Sequence, residues 1–169
     1  MVLLPRRAEM REPYLNMIAM VERLHRQFLE LVRVELDSLG VLDINNVQAL
    51  ILFNIGESEF TVGELTLRGC YLGSNVSYNV KKMVEAGYLV LERSTHDRRS
   101  VRVRLSQKGL DLCVKLDAMH DRHTQALSET QIDQAALEQA NITLRRLDRF
   151  WTHHVDLGTR ILPRVTPAA

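Results

Sequence analysis

The sequence predicts a mainly α-helical protein carrying one small two-stranded hairpin, and three observations carry that expectation. Apolar residues recur at three- and four-residue spacing through long stretches of the 169 residues. Two adjacent runs read as strands, YLVLER at 88–93 and the strictly alternating VRVRLS at 101–106, joined through STHDRR. Glycines stand where helical runs stop, at Gly40, Gly56 and Gly87, as expected just past a last turn.

Hydrophobic residues make up 46% and charged residues 25% of the chain, the balance of a soluble globular protein able to bury a core without disulfides. The start, MVLLPRR, has an apolar run too short for a signal peptide, and VQALILFNIG is too short to span a bilayer. Cys70 and Cys113 have no partner motif, so a cytoplasmic location is expected, with no membrane as partner. Net charge is only +1, but it is unevenly placed. From Thr61 to Gly109 nine lysines and arginines stand against four acids, a surplus of five that the rest of the chain offsets with a deficit of four. Charge sorted by segment is an argument about partners.

The first helix is expected from about Arg11 to Leu39, with Ile18, Val21, Leu24, Phe28, Leu31, Val32 and Leu39 on its apolar stripe. Asp43 is placed to cap a second helix, NNVQALILFNIG, which is apolar on most sides and should be buried. Thr61 and Glu64 have the form of a capping box opening a short third helix. Gly73 or Ser74 starts a fourth, whose stripe is Val76, Val80, Met83 and Val84. After the hairpin a helix runs from Gln107 to about Ala126, and Thr130 and Asp133 form a capping box for the last one. There Leu137, Ala140, Leu144, Leu147, Trp151 and His154 step alternately by three and four, a short heptad seam suited to helix pairing.

Short helices followed by a hairpin are the order of a winged helix-turn-helix. A recognition helix must offer small polar and basic groups to base edges and phosphates on one face while holding its own domain with the other. The helix from Ser74 meets that need with Ser74, Tyr78, Lys81 and Lys82 opposite its apolar stripe and Asn75 and Ser77 at the edges of that face. A basic hairpin tip can reach a neighbouring groove, and Arg98 and Arg99 sit at that tip. Asp97 is repelled by phosphate, so its expected task is to shape the turn and pair with an arginine, with Arg102 and Arg104 both candidates. Taken singly, a helix with two lysines is usually a solvated face, and an arginine-flanked hairpin a guarded edge. Their order and spacing together favour double-stranded DNA as the partner.

Over about residues 10–155 the chain resembles the MarR-type transcription regulators. The specific part runs from Asp43 to Gly109, through TVGEL, SNVSYNV, EAGYL and DRRSVRVRLSQKG, where Asp97, Arg99, Leu105, Ser106 and Gly109 match the wing signature. VERLHR, VQALILFNIG and YLGSNVSYNVKKMV look most like the LdtR-like branch. The resemblance implies a homodimer with entwined N- and C-terminal helices. The chain then divides into an N-terminal arm (1–10), a helical dimerisation region (11–41 and 107–158), a winged helix-turn-helix lobe (42–106) and a flexible tail (159–169). It departs from the family at Gly69-Cys70-Tyr71-Leu72 in the turn, and at Tyr78, where an arginine is frequent.

No nucleophile elbow, P-loop or dinucleotide fingerprint is present, so no enzymatic activity and no cofactor is expected. His120 and His123, with Asp117 and Asp121 near, have helical spacing for a shared metal, but solvated surface histidines are the better reading, as for His153 and His154. Cys70, two residues after Arg68, keeps redox sensing as a minority reading beside an inert buried role for both cysteines. A pocket for a small apolar or aromatic effector is expected where dimer helices meet the lobe, with Met17, Met20 and Phe53 as lining and plain core packing as the equal alternative. The resulting expectation is a dimeric regulator on a near-palindromic operator, its DNA affinity lowered by that effector. The rivals are a non-specific architectural DNA-binding protein, and a winged-helix subunit that binds protein instead.

Overall fold

The computed structural model describes residues 4–56, 58–61, 63–65, 73–93 and 101–161. Its elements run α1 (Leu4–Ser38), α2 (Asn46–Ile55), β1 (Phe60–Thr61), α3 (Gly73–Glu85), β2 (Leu89–Arg93), β3 (Val101–Leu105), α4 (Gln107–Ser128) and α5 (Gln134–Ile161). Residues 63–65 are also helical, at the start of the expected third helix; Thr66 to Leu72 lie outside the described residues. The chain forms two compact units, Met1–His120 and Asp121–Ala169. No helix among the described residues is long and apolar enough to cross a membrane.

The first unit is built around α2. Ala49, Ile51, Leu52 and Ile55 are almost wholly buried, in one cluster with Val32 and Leu36 of α1, Val76, Val80 and Met83 of α3, and Leu112, Leu116 and Met119 of α4. Full burial of each large aliphatic side chain contributes about 1.5–3 kcal/mol, so this shared core fixes where α3 lies. The helix that reads as apolar on most sides is therefore the hub. Its cap differs from expectation: Asn45, not Asp43, is the N-cap, in a reciprocal capping box with Gln48. Asp43 stands two residues too early and is engaged elsewhere.

The hairpin gains a strand that the alternation does not reveal. Phe60–Thr61 pairs antiparallel with β3, giving a three-stranded sheet of order β1-β3-β2. Two residues are too few for a period to show, and Thr61 reads as a helix cap. It is both: the Thr61 hydroxyl accepts from the Glu64 amide at 3.2 Å, and the Glu64 carboxylate accepts from the Thr61 amide at 2.7 Å. β2 and β3 pair from Leu89↔Leu105 to Arg93↔Val101, with Val103 and Leu105 buried beneath.

α1 starts at Leu4 rather than near Arg11 and passes through Pro13. Proline removes one backbone donor and crowds the preceding turn, but a long helix absorbs one such defect as a local bend. In the second unit Asp133 alone caps α5, accepting from the Ala136 amide at 2.8 Å, while Thr130 is spent on the preceding turn. No described side chain of α5 is buried.

Candidate nucleic-acid interface

α3 is amphipathic as its sequence requires. Val76, Val80 and Met83 are buried, whereas Ser77, Tyr78, Lys81 and Lys82 are exposed on the other side. Ser74 and Asn75 fall in the first turn of the helix; their side chains lie outside the described residues. Asn79, at the boundary of the two faces, accepts a hydrogen bond from Gln48 Nε2 at 3.2 Å, which links α3 to α2. Tyr78 is 61% exposed, a large ring held in water with its apolar face unused. Lys82 and Lys81 both lean on Glu85, at 3.0 and 3.9 Å. The hydrogen bond from Lys82 holds the Glu85 carboxyl below its ordinary pKa. These are exposed surface pairs, and such pairs are exchanged for other partners at little cost.

The wing arginines divide. Arg104 donates to Glu92 across the sheet through Nε at 2.8 Å and also through Nη2, and Arg102 reaches Glu59 at 3.8 Å. Their charge therefore serves strand pairing along one face of the sheet. Asp97, Arg98 and Arg99 lie outside the described residues, and the two arginines weighed as partners for Asp97 have these other partners.

One cluster was missed by the sequence reading. The Asp43 carboxylate, in the α1–α2 loop, accepts from the Tyr88 hydroxyl at 2.8 Å and from Lys108 Nζ at 2.6 Å. Tyr88 stands just past the end of α3, and Lys108 is in the first turn of α4. The Lys108 ammonium also lies 4.0 Å from the centre of the Tyr88 ring. Burial works against the Asp43 charge, but the bonds from Lys108 and Tyr88 outweigh it and hold the carboxyl below the usual aspartate range. Burial first, and then the bond to Asp43, raise the Tyr88 hydroxyl. The separations of 45 and 65 residues carry no local signal; only the fold brings these groups together.

Of the residues expected to line an effector pocket, Phe53 is half-buried and meets the His120 ring edge-on at 4.8 Å, and Phe28 stacks on the same ring at 6.1 Å. Met17 is half-buried and Met20 is 50% exposed. Met17 precedes Phe28 by eleven residues on α1, about 16 Å along a helix axis, so it stands well apart from that ring. Among the described residues no three His, Cys, Asp or Glu side chains gather as a metal would need. Cys113 is half-buried against the core, and burial pushes its thiol up to about 11, leaving little reactive thiolate at neutral pH. Cys70 lies outside the described residues.

A buried hub helix, an amphipathic α3 and a hairpin wing define a winged helix-turn-helix protein. Solved structures share this architecture. FabT of Streptococcus pneumoniae, solved in complex with DNA, matches with a TM-score of 0.68 at 18% identity, over 83% of this chain and 98% of that one. BldR, a transcriptional regulator of Sulfolobus solfataricus, matches with a TM-score of 0.65 at 20% identity, over 80% and 96%. In sequence, residues 42–100 match the MarR family model. The chain is also 44% identical over 145 residues to ExpG of Rhizobium meliloti (strain 1021), an exopolysaccharide II synthesis transcriptional activator, covering 86% of this chain and 75% of ExpG. The chain belongs to the MarR family, and it is a transcription regulator, not an enzyme. None of these relatives bears on the narrower likeness to the LdtR-like branch.

Proposed function

We propose that this regulator binds double-stranded DNA as a homodimer on a near-palindromic operator, with α3 in the major groove and the wing tip at the neighbouring groove. The two-faced α3 carries the reading: its buried valines and Met83 hold the lobe, while Ser77, Tyr78, Lys81 and Lys82 are exposed on the opposite side. That FabT, of the same fold, was solved with DNA supports it. In this reading Ser74, Asn75, Ser77 and Tyr78 read bases near the start of α3, and Lys81 and Lys82 leave Glu85 for phosphates. Arg99 enters the minor groove, Arg98 meets phosphate or solvent, and Asp97 shapes the turn. Residues 11–41 and 107–158 supply the dimer contacts, and residues 42–106 the DNA-binding lobe. A small apolar or aromatic effector lowers DNA affinity, with Phe53 at its site and Met17 and Met20 further along α1; such coupling typically amounts to about 5- to 150-fold.

The test separates base reading from attraction to phosphate. Lys81→Ala and Lys82→Ala should each weaken binding to every duplex and flatten the dependence of log K on log salt by about one unit. Tyr78→Ala should instead change which duplexes are selected from a random-sequence pool. If Tyr78→Ala scales all affinities alike, α3 does not read sequence and the protein is an architectural binder. If the parent shows no salt-sensitive DNA binding, the lobe serves protein contacts instead.

A further inference from the structure

We propose that Asp43, Tyr88 and Lys108 form a clamp that sets the pose of α3 for sequence discrimination, acting as positioning residues that do not themselves touch DNA. The inference rests on α3 being the DNA-reading helix.

The geometry at the end of α3 is unusually complete. Its amides close inward, Ala86 donating to Lys82, Gly87 to Val84 and Tyr88 to Met83, through a left-handed Gly87 at φ 78°. The three carbonyls that follow are all taken by the approach to α4. Ala86 accepts from Lys108 Nζ at 2.9 Å, Gly87 from the Ser106 hydroxyl at 2.6 Å, and Tyr88 from the Ser106 amide at 2.9 Å. Asp43 closes the figure by accepting from both Tyr88 and Lys108. The end of α3 is thus tied to two other segments, the α1–α2 loop and the start of α4.

Apolar packing cannot do this alone. Val76, Val80 and Met83 fix how deeply α3 sits, but burial is non-directional and leaves small rotations and tilts open. Directional bonds at the helix end remove that freedom, and polar recognition tolerates errors of only about 0.5 Å. A plain reading of Lys108 as one more phosphate contact fits poorly. Two of its three donors are committed, and the Asp43 carboxylate at 2.6 Å offsets its charge.

The test uses the full chain. The variants are Asp43→Asn, Lys108→Met, Tyr88→Phe and the Asp43→Asn/Lys108→Met pair. Fluorescence anisotropy at several salt concentrations measures affinity for a duplex that the parent selected from a random pool and for a scrambled duplex of equal length. Thermal unfolding followed by circular dichroism confirms that each variant is folded. Each single variant should lose roughly 2- to 30-fold on the selected duplex. The scrambled duplex and the salt slope should stay unchanged, and the double variant should lose no more than the worse single one. Equal losses on both duplexes, with a slope lower by about one for Lys108→Met, would make Lys108 a phosphate contact and end the proposal. Tighter binding by Asp43→Asn, or no change in any variant, would end it too. Should Lys108→Met not fold, Tyr88→Phe removes only a hydroxyl and decides the same question. A parent that binds no duplex overturns the DNA-reading role of α3 itself, a failure distinct from a parent that discriminates and variants that discriminate equally well.

Discussion

Leu144→Asp combined with Leu147→Asp is expected to convert the protein from a dimer into monomer or unfolded chain at micromolar concentration. α5 presents Leu137, Leu144 and Phe150 at 45%, 43% and 50% exposure, and Leu147 and Trp151 only half-covered. In the first unit, Leu24 and Leu31 of α1 also stay exposed. A face this apolar over a heptad seam is of the kind that obligate homodimers bury. Leu144 and Leu147 are already more than half covered in the single chain, so completing the burial of two leucines from each of two chains is worth together about 2–5 kcal/mol. A nanomolar dimer has about 12 kcal/mol in all, and the desolvation of four buried carboxylates, which costs several kcal/mol per ion, adds to that loss and should carry it past this figure. Sedimentation equilibrium decides the matter. A parent that sediments as a well-folded monomer at micromolar concentration would show that the seam does not pair chains.

Gly109→Ala is expected to destabilise the lobe by about 2–3 kcal/mol, against the usual direction for a helical glycine. Alanine is the better helix former by about 1 kcal/mol, and Gly109 lies inside the first turns of α4. A Cβ there would stand 2.4 Å from the Tyr88 carbonyl oxygen and 3.2 Å from Leu105 Cδ2. The first neighbour is backbone, already bonded to the Ser106 amide, so it cannot swing aside as a side chain would. Overpacking of this kind costs about 1–3 kcal/mol, and displacing α4 also loosens the bonds to Ala86 and Gly87, each worth about 1 kcal/mol net. The combined loss exceeds the gain in propensity. Thermal unfolding should show a midpoint lower by roughly 5–10 °C for a chain of this size. An unchanged or raised midpoint would mean that α4 does not approach the end of α3 this closely.

What was legible in the sequence follows the range over which each signal acts. The stripe of Val76, Val80 and Met83, the hub helix and the alternation of Val103 and Leu105 are periodic, and burial of one face enforces them residue by residue. Gly40, Gly56 and Gly87 marked ends because each adopts a positive φ. Asp43 was misread because an acid ahead of an apolar run looks like a cap, and nothing within ten residues shows Tyr88 or Lys108 competing for its oxygens. Arg102 and Arg104 were open to pairing with Asp97 because a strand pattern shows which face a side chain takes but not its partner; Glu59 and Glu92 are found opposite only once β1 and β2 are in register. The heptad stepping of α5 was legible as a helix pattern, and in the single chain its Leu137 and Leu144 stay exposed.

The span of the Asp43 contacts also orders events in folding. Strands β2 and β3 join residues as few as 8 apart, Arg93 and Val101, whereas Asp43 must find Lys108 across 65 residues. Closing the longer loop costs about 2 kcal/mol more in chain entropy. The hairpin and the α2–α3 core are therefore expected to form first, and the three-way joint last, on the native side of the rate-limiting barrier. Asp43→Asn should then speed unfolding while leaving refolding nearly untouched, a change confined to one limb of the chevron. If refolding slows as much as unfolding quickens, the joint is already made at the barrier, and the distant loop helps to nucleate the lobe rather than seal it.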